Sequence, residues 1–171
     1  MKKFIQLLLL FIAFNGYSQK RLTILNYCSS SQKVYKIQTK PATGTYPFCY
    51  NGNGALGFNS GDTCYLVNLG SSTKFPFKTT SPVTYISPVT TWRRQVNATT
   101  IQNLSNNTIW NLTSSTNQEF DYATIVGGTL SPANPEIIFG TAGNGGWRAD
   151  YERVYYVFPN DYEDFIIFTD L

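Results

Sequence analysis

The feature that most constrains this chain is its punctuation. Short runs rich in Thr, Val, Ile and Tyr recur from end to end, separated by Gly, Pro, Asn and Ser, and no stretch of ten or more residues carries a 3.6-residue apolar period. Helices are therefore not expected. The candidate strands are 22–25, 33–37, 63–69, 83–86, 99–104, 108–112, 120–126, 136–139, 151–158 and 164–169. Within 33–37, strict alternation would send Val34 and Lys36 to one face and Tyr35 and Ile37 to the other. Asn59-Ser60-Gly61-Asp62 and Val126-Gly127-Gly128-Thr129 read as turns. Strands this short at this spacing predict an all-β fold, a single antiparallel β-sandwich or partly closed barrel of about eight to ten strands.

The N-terminus stands apart from that pattern. Lys2 and Lys3 precede a run from Phe4 to Phe14 that is apolar except for Gln6, and Gly16 and Ser18 are small residues before a candidate cleavage point. This is the layout of a secretory signal peptide over residues 1–18, leaving an all-β domain over 19–171. The run of 11 residues spans about 16 Å as a helix, against a hydrocarbon core of ~30 Å. No later run is long enough to cross as a helix, so no membrane span is expected. The first cysteine, Cys28, is too distant for lipid attachment at the cut. The expected location is secreted, either extracellular or periplasmic, and the two-lysine start suits a bacterial signal.

Composition excludes several kinds of chemistry. The chain has no His, which removes His-based triads, Cys–His dyads and His-ligated metal or haem sites. No cofactor is expected. Without the leader, 11 basic residues face 10 acidic ones, a net of +1 that argues against nucleic-acid binding. The charge is split along the chain. Residues 20–118 hold nine basic residues against Asp62, a net of +8, and 119–171 hold nine acidic residues against Arg148 and Arg153, a net of −7. Such halves commonly interleave in space.

Three cysteines in an exported chain predict one disulfide and one leftover thiol. Cys28 and Cys49 adjoin loops, which adapt to the Cα separation a bridge needs, so Cys28–Cys49 is the expected pair. Cys64 lies in a strand-like run and reads as a small buried hydrophobe.

The residues that could do chemistry are few. The Gly-rich segment 140–146 lacks the Lys-Ser or Lys-Thr of a phosphate loop and reads as a surface hairpin. Asp161, Glu163 and Asp164 lack calcium-loop spacing and read as solvated acids at a turn, so no metal site is expected. Glu119/Asp121 and Asp150/Glu152 stand at i, i+2, where strand geometry puts carboxyls about 6.6 Å apart, a separation a glycosidase can use. Any two residues on a strand face share it, so no catalytic residue is assigned.

Binding is the stronger reading. Trp92-Arg93-Arg94 and Trp147-Arg148 place a flat ring beside a cationic fork twice, a pairing suited to sugar rings and anionic groups. The same tryptophans could equally belong to a core. The segments 22–28, 60–63 and 119–126 resemble, in order and type, those of thaumatin-like β-sandwiches. That resemblance implies an all-β fold and brings no function, because that family's dense disulfide framework is missing. The expectation is an exported, non-catalytic β-sandwich that binds a surface glycan or a protein partner. The alternatives are a small carboxylate-pair glycoside hydrolase and a structural subunit of an envelope or extracellular assembly.

Overall fold

A computed structural model describes residues 20–41, 43–52, 54–67, 78–80, 89, 91–105, 118–155 and 162–171. The expected leader and the candidate strands at 83–86 and 108–112 lie outside the described residues. Every regular element among the described residues is a strand: β1 (Lys20–Asn26), β2 (Gln32–Pro41), β3 (Phe48–Asn51), β4 (Leu56–Phe58), β5 (Thr63–Val67), β6 (Lys78–Thr80), β7 (Thr91–Gln95), β8 (Ile101–Ser105), β9 (Gln118–Ile125), β10 (Gly128–Leu130), β11 (Glu136–Phe139), β12 (Trp147–Tyr155) and β13 (Tyr162–Asp170). No helix among them is long and apolar enough to cross a membrane.

The strands form a β-sandwich of two sheets. The first runs β11-β12-β13-β1-β5-β6, and the second runs β10-β9-β2-β3-β7-β8 with β4 also paired to β2. The β1–β13 pair is parallel and the other pairs are antiparallel. The basic and acidic halves of the chain interleave in both sheets, because acidic β13 lies against β1 and acidic β9 against β2. The core forms between the inner faces. Leu22, Ile24, Trp147, Ile166 and Phe168 come from one sheet and Ile37, Trp92, Phe120 and Ala123 from the other. Phe120 and Tyr151 stack across the gap with ring centroids 5.4 Å apart.

Polar side chains inside the sandwich tie strands together. Asn26 ends β1 with its amide oxygen accepting from the Cys28 N–H and its amide nitrogen donating to the Ser30 and Phe58 carbonyls. The turn at 59–62 closes on Gly61, whose φ of 77° is the left-handed conformation that only glycine adopts without strain.

The simple alternation expected in β2 does not hold. Val34 and Ile37 are both buried, while Tyr35 is exposed and Lys36 half-buried. A register shift between Val34 and Lys36 against β9 inserts one extra residue, which turns Lys36 outward. Asn51 supports this bulge by accepting a 2.7 Å hydrogen bond from the Ile37 N–H.

The Cys28–Cys49 disulfide is also absent. Both thiols are free and fully buried. Cys28 lies beside Asp170 and Gln32, whereas Cys49 lies beside Thr39 and Arg94, so each thiol fills its own packing site. Burial pushes Cys28 up to about 11 and Cys49 up to about 12, which keeps both thiols protonated. The side chain of Cys64 lies outside the described residues.

Glu163 and Asp164 are not solvated turn acids. Both sit in β13 and are buried, Asp164 completely. They point to opposite faces of the first sheet, and each has partners there. Glu163 accepts from the Thr23 hydroxyl, and Asp164 accepts from Tyr151 and Arg153. Asp161 lies outside the described residues.

Candidate functional site

The tryptophan–arginine pairs do not come together. Trp92 is in β7 of the second sheet and Trp147 in β12 of the first. Trp92 is 0% exposed and Trp147 is 5% exposed, so neither ring is available as a stacking plate. Trp147 packs between Phe139 and Phe168 instead. Their arginines separate accordingly. Arg148 lies on the outer face of the first sheet, paired with Asp150 at 2.8 Å and Glu136 at 3.9 Å. Arg94 shares the inward face of β7 with Trp92 and donates from Nη1 to Gln102 at 3.0 Å. Arg93 is exposed on the opposite, outward face.

That outward face of the second sheet holds the richest chemistry among the described residues. In β3 the inward residues Cys49 and Asn51 are buried, so Phe48 and Tyr50 point out. Tyr46, just before the strand, stacks on Phe48 with centroids 5.6 Å apart, and Phe48 lies 6.2 Å from Tyr50. The result is a continuous aromatic strip along one strand. In β2 the bulge turns Lys36 outward beside this strip, with Gln38 and Lys40 following at alternate positions.

The pairing registers align these strands into a row. Tyr122 of β9 is opposite Gln38, Gln38 is opposite Tyr50, Tyr50 is opposite Arg93, and Arg93 is opposite Asn103 of β8. Four steps of about 4.8 Å between strands make this row roughly 19 Å long. A second bulge, between Gln38 and Thr39, inserts Asp121 next to the row.

A directed hydrogen-bond chain fixes the near end. Lys36 Nζ donates to the Tyr122 hydroxyl at 2.7 Å, and that hydroxyl donates to Gln38 Oε1 at 2.9 Å. Gln38 Nε2 then donates to Asp121 Oδ2 at 3.0 Å, and Lys40 Nζ stands 3.6 Å from Asp121 Oδ1. Lys36 also sits 4.6 Å from the Tyr50 ring centre and 5.1 Å from that of Tyr122, within cation–π range. Each polar group in the chain has a partner, so the surface is preorganised rather than loosely solvated. Among the described residues Lys36, Lys40 and Arg93 share this face with two carboxylates, Asp121 and Glu119, the latter opposite Lys40 in register, so the cations exceed the acids by one.

The carboxylate pairs show no comparable arrangement. Asp121 is engaged by Gln38 and Lys40, and Asp150 by Arg148. No group of three or more potential metal-ligating Cys, Asp or Glu residues occurs among the described residues. The Gly-rich segment 140–146 forms the loop joining β11 and β12, as expected, exposed over 140–145 and buried at Gly146.

Sequence reasoning found Arg93 but missed Tyr46, Phe48, Tyr50 and Tyr122. The available signal was Tyr46-Pro47-Phe48-Cys49-Tyr50, three aromatics at i, i+2 and i+4 that share one face of any strand. The contribution of Tyr122 and Lys36 had no such signal, because two bulges set which way they point.

No family model, curated protein or solved structure matches this chain.

Proposed function

We propose that the protein is an exported, non-catalytic binding module that holds an acidic glycan across the outer face of its second sheet. The observation that carries this reading is the aromatic strip Tyr46–Phe48–Tyr50 set beside Lys36, Lys40 and Arg93. Aromatic rings take the apolar C–H faces of sugars, and the cations take their carboxylates or sulfates. Export rests on the leader-like residues 1–18. A row crossing five strands suits an extended ligand more than a compact one.

A pull-down on cellulose, chitin, xylan, polygalacturonate and alginate tests this reading. Retention on the two uronic-acid polymers is expected, falling with added salt because surface charge pairs are screened. Tyr50→Ala should release the protein without changing its melting temperature. Retention on none of them overturns the reading, as does retention that Tyr50→Ala leaves intact. Retention on immobilised poly-L-glutamate alone would assign the face to an acidic protein partner instead.

A further inference from the structure

The row of outward side chains ends in a pocket. At its β9 end, Lys40, Asp121 and Tyr122 face Thr129, Ser131 and Ala133 around a volume of about 220 Å³. This is smaller than the ~300–1,000 Å³ usual for drug-sized ligands and suits a single sugar ring. We infer that this pocket takes the terminal uronic-acid residue of the glycan, so that the module recognises chain ends. The inference rests on the glycan-binding reading above and assigns its end-point.

Three observations support it. The first is the wall. β10 is the edge strand on this side, and the turn after it is held by reciprocal backbone bonds of 3.0 Å between Ser131 and Asn134. Asn134 Nδ2 also donates to the Thr129 carbonyl at 2.8 Å. The wall is therefore built before any ligand arrives, which lowers the ordering cost of binding. The second is the chemistry of the lining. The Lys40 ammonium has one partner among the described residues and remains half exposed, so it can meet a carboxylate. Asp121 accepts from Gln38 and Lys40, and a carboxylate offers about four acceptor positions, which leaves room for sugar hydroxyls. Tyr122 belongs to both the pocket and the row, so a ring seated here continues directly onto the strip. The third is direction. Beyond Tyr122 the row continues across Gln38, Tyr50, Arg93 and Asn103, whereas the 131–133 turn lines its other end. The pocket thus stands at one end of the row, where the end of a bound chain would sit.

The test compares intact polygalacturonate and alginate with the same polymers partly hydrolysed to fragments about one-tenth their length. If ends are bound, mass action lowers the half-saturating mass concentration about tenfold on hydrolysis. Ala133→Trp, at an exposed turn position, should fill the pocket and abolish that gain with an unchanged melting temperature. Lys40→Gln should reduce the gain and provides the check should the larger variant fail to fold. Equal binding of intact and hydrolysed polymer by the wild type overturns end recognition and leaves the binding face standing. A tenfold gain that survives both substitutions also overturns the pocket assignment. Binding of neither polymer removes the functional reading and this inference together.

Discussion

Two polar networks in this protein use the same kinds of residue to opposite ends. One is Asp164 with Arg153 and Tyr151, between the sheets. The other is Asp121 with Lys40, Gln38, Tyr122 and Lys36, on the outside of the second sheet. In the first, Asp164 has no exposure, accepts from Arg153 Nε at 2.6 Å and Nη2 at 3.1 Å, and from the Tyr151 hydroxyl at 2.5 Å. The Arg153 guanidinium lies 3.9 Å from the centre of the Tyr162 ring, which covers it. Burial pushes the Asp164 carboxyl up, while the hydrogen bonds from Arg153 and Tyr151 and the Arg153 charge pull it down. In the second, each group keeps part of its surface in water. The difference teaches that satisfied hydrogen bonding alone does not mark a binding site. A sealed network ties two neighbouring strands, β12 and β13, together, and only an open one offers atoms to a ligand.

The largest effects should separate the two regions by stability. Asp164→Ala would leave the half-buried Arg153 charge without its bidentate partner and the Tyr151 hydroxyl without its acceptor, and should cost ~3 kcal/mol in chemical denaturation. Trp92→Ala should cost a similar ~3–5 kcal/mol, because it empties the largest fully buried side chain among the described residues. If either variant melts within a degree or two of the wild type, the inner region is not what holds the sandwich.

A middle-sized effect is expected on binding alone. Tyr50→Ala should weaken retention on uronic-acid polymers at least tenfold, about 1.4 kcal/mol, while leaving the unfolding midpoint nearly unchanged. Lys36→Gln removes a charge but keeps length, so it should weaken binding less and make it less sensitive to salt. Titrations of both variants at two salt concentrations would show whether ring or charge dominates the outer face.

The smallest effect concerns pH. The Cys49 thiol is moved from 9.0 to about 12 by burial, against a lowering influence from Arg94. The folded chain thus holds this proton more tightly than the unfolded one. The contribution is fully present below pH 9.0 and is lost as pH rises towards about 12. Denaturation midpoints should fall across that window, less steeply for Cys49→Ala. The free thiols give a direct check. Cys28 and Cys49 should react with a thiol reagent only after unfolding, and protection that persists in denaturant without reductant would restore a disulfide.

Much of the architecture was legible in the chain. The strand at 136–139 coincides with β11, and those at 22–25, 120–126 and 164–169 fall on β1, β9 and β13 with ends shifted by one or two residues. β3, β4, β6, β7 and β10, three to five residues long, were missed, whereas the equally short β5, β8 and β11 were found; such short runs seldom show a period before pairing stabilises them. The candidate site was legible only in part. Arg93 was found beside a tryptophan, but the aromatic opposite it on the outward face is Tyr50, its register partner across β3 and β7.

What the sequence determined by itself was the all-β class, the split of charge between the two halves of the chain, and the exclusion of histidine-based chemistry. These follow from composition and from local periodicity, which depend on near neighbours. What only the tertiary structure decided was which aromatics are inside. Trp92 and Tyr50 lie on adjacent strands and differ in little that composition can register, yet one is fully buried and the other faces out. The choice depends on which face of each strand meets the opposing sheet. Bulges at Lys36 and Asp121 reset that choice along β2 and β9, because one inserted residue reverses every side chain beyond it.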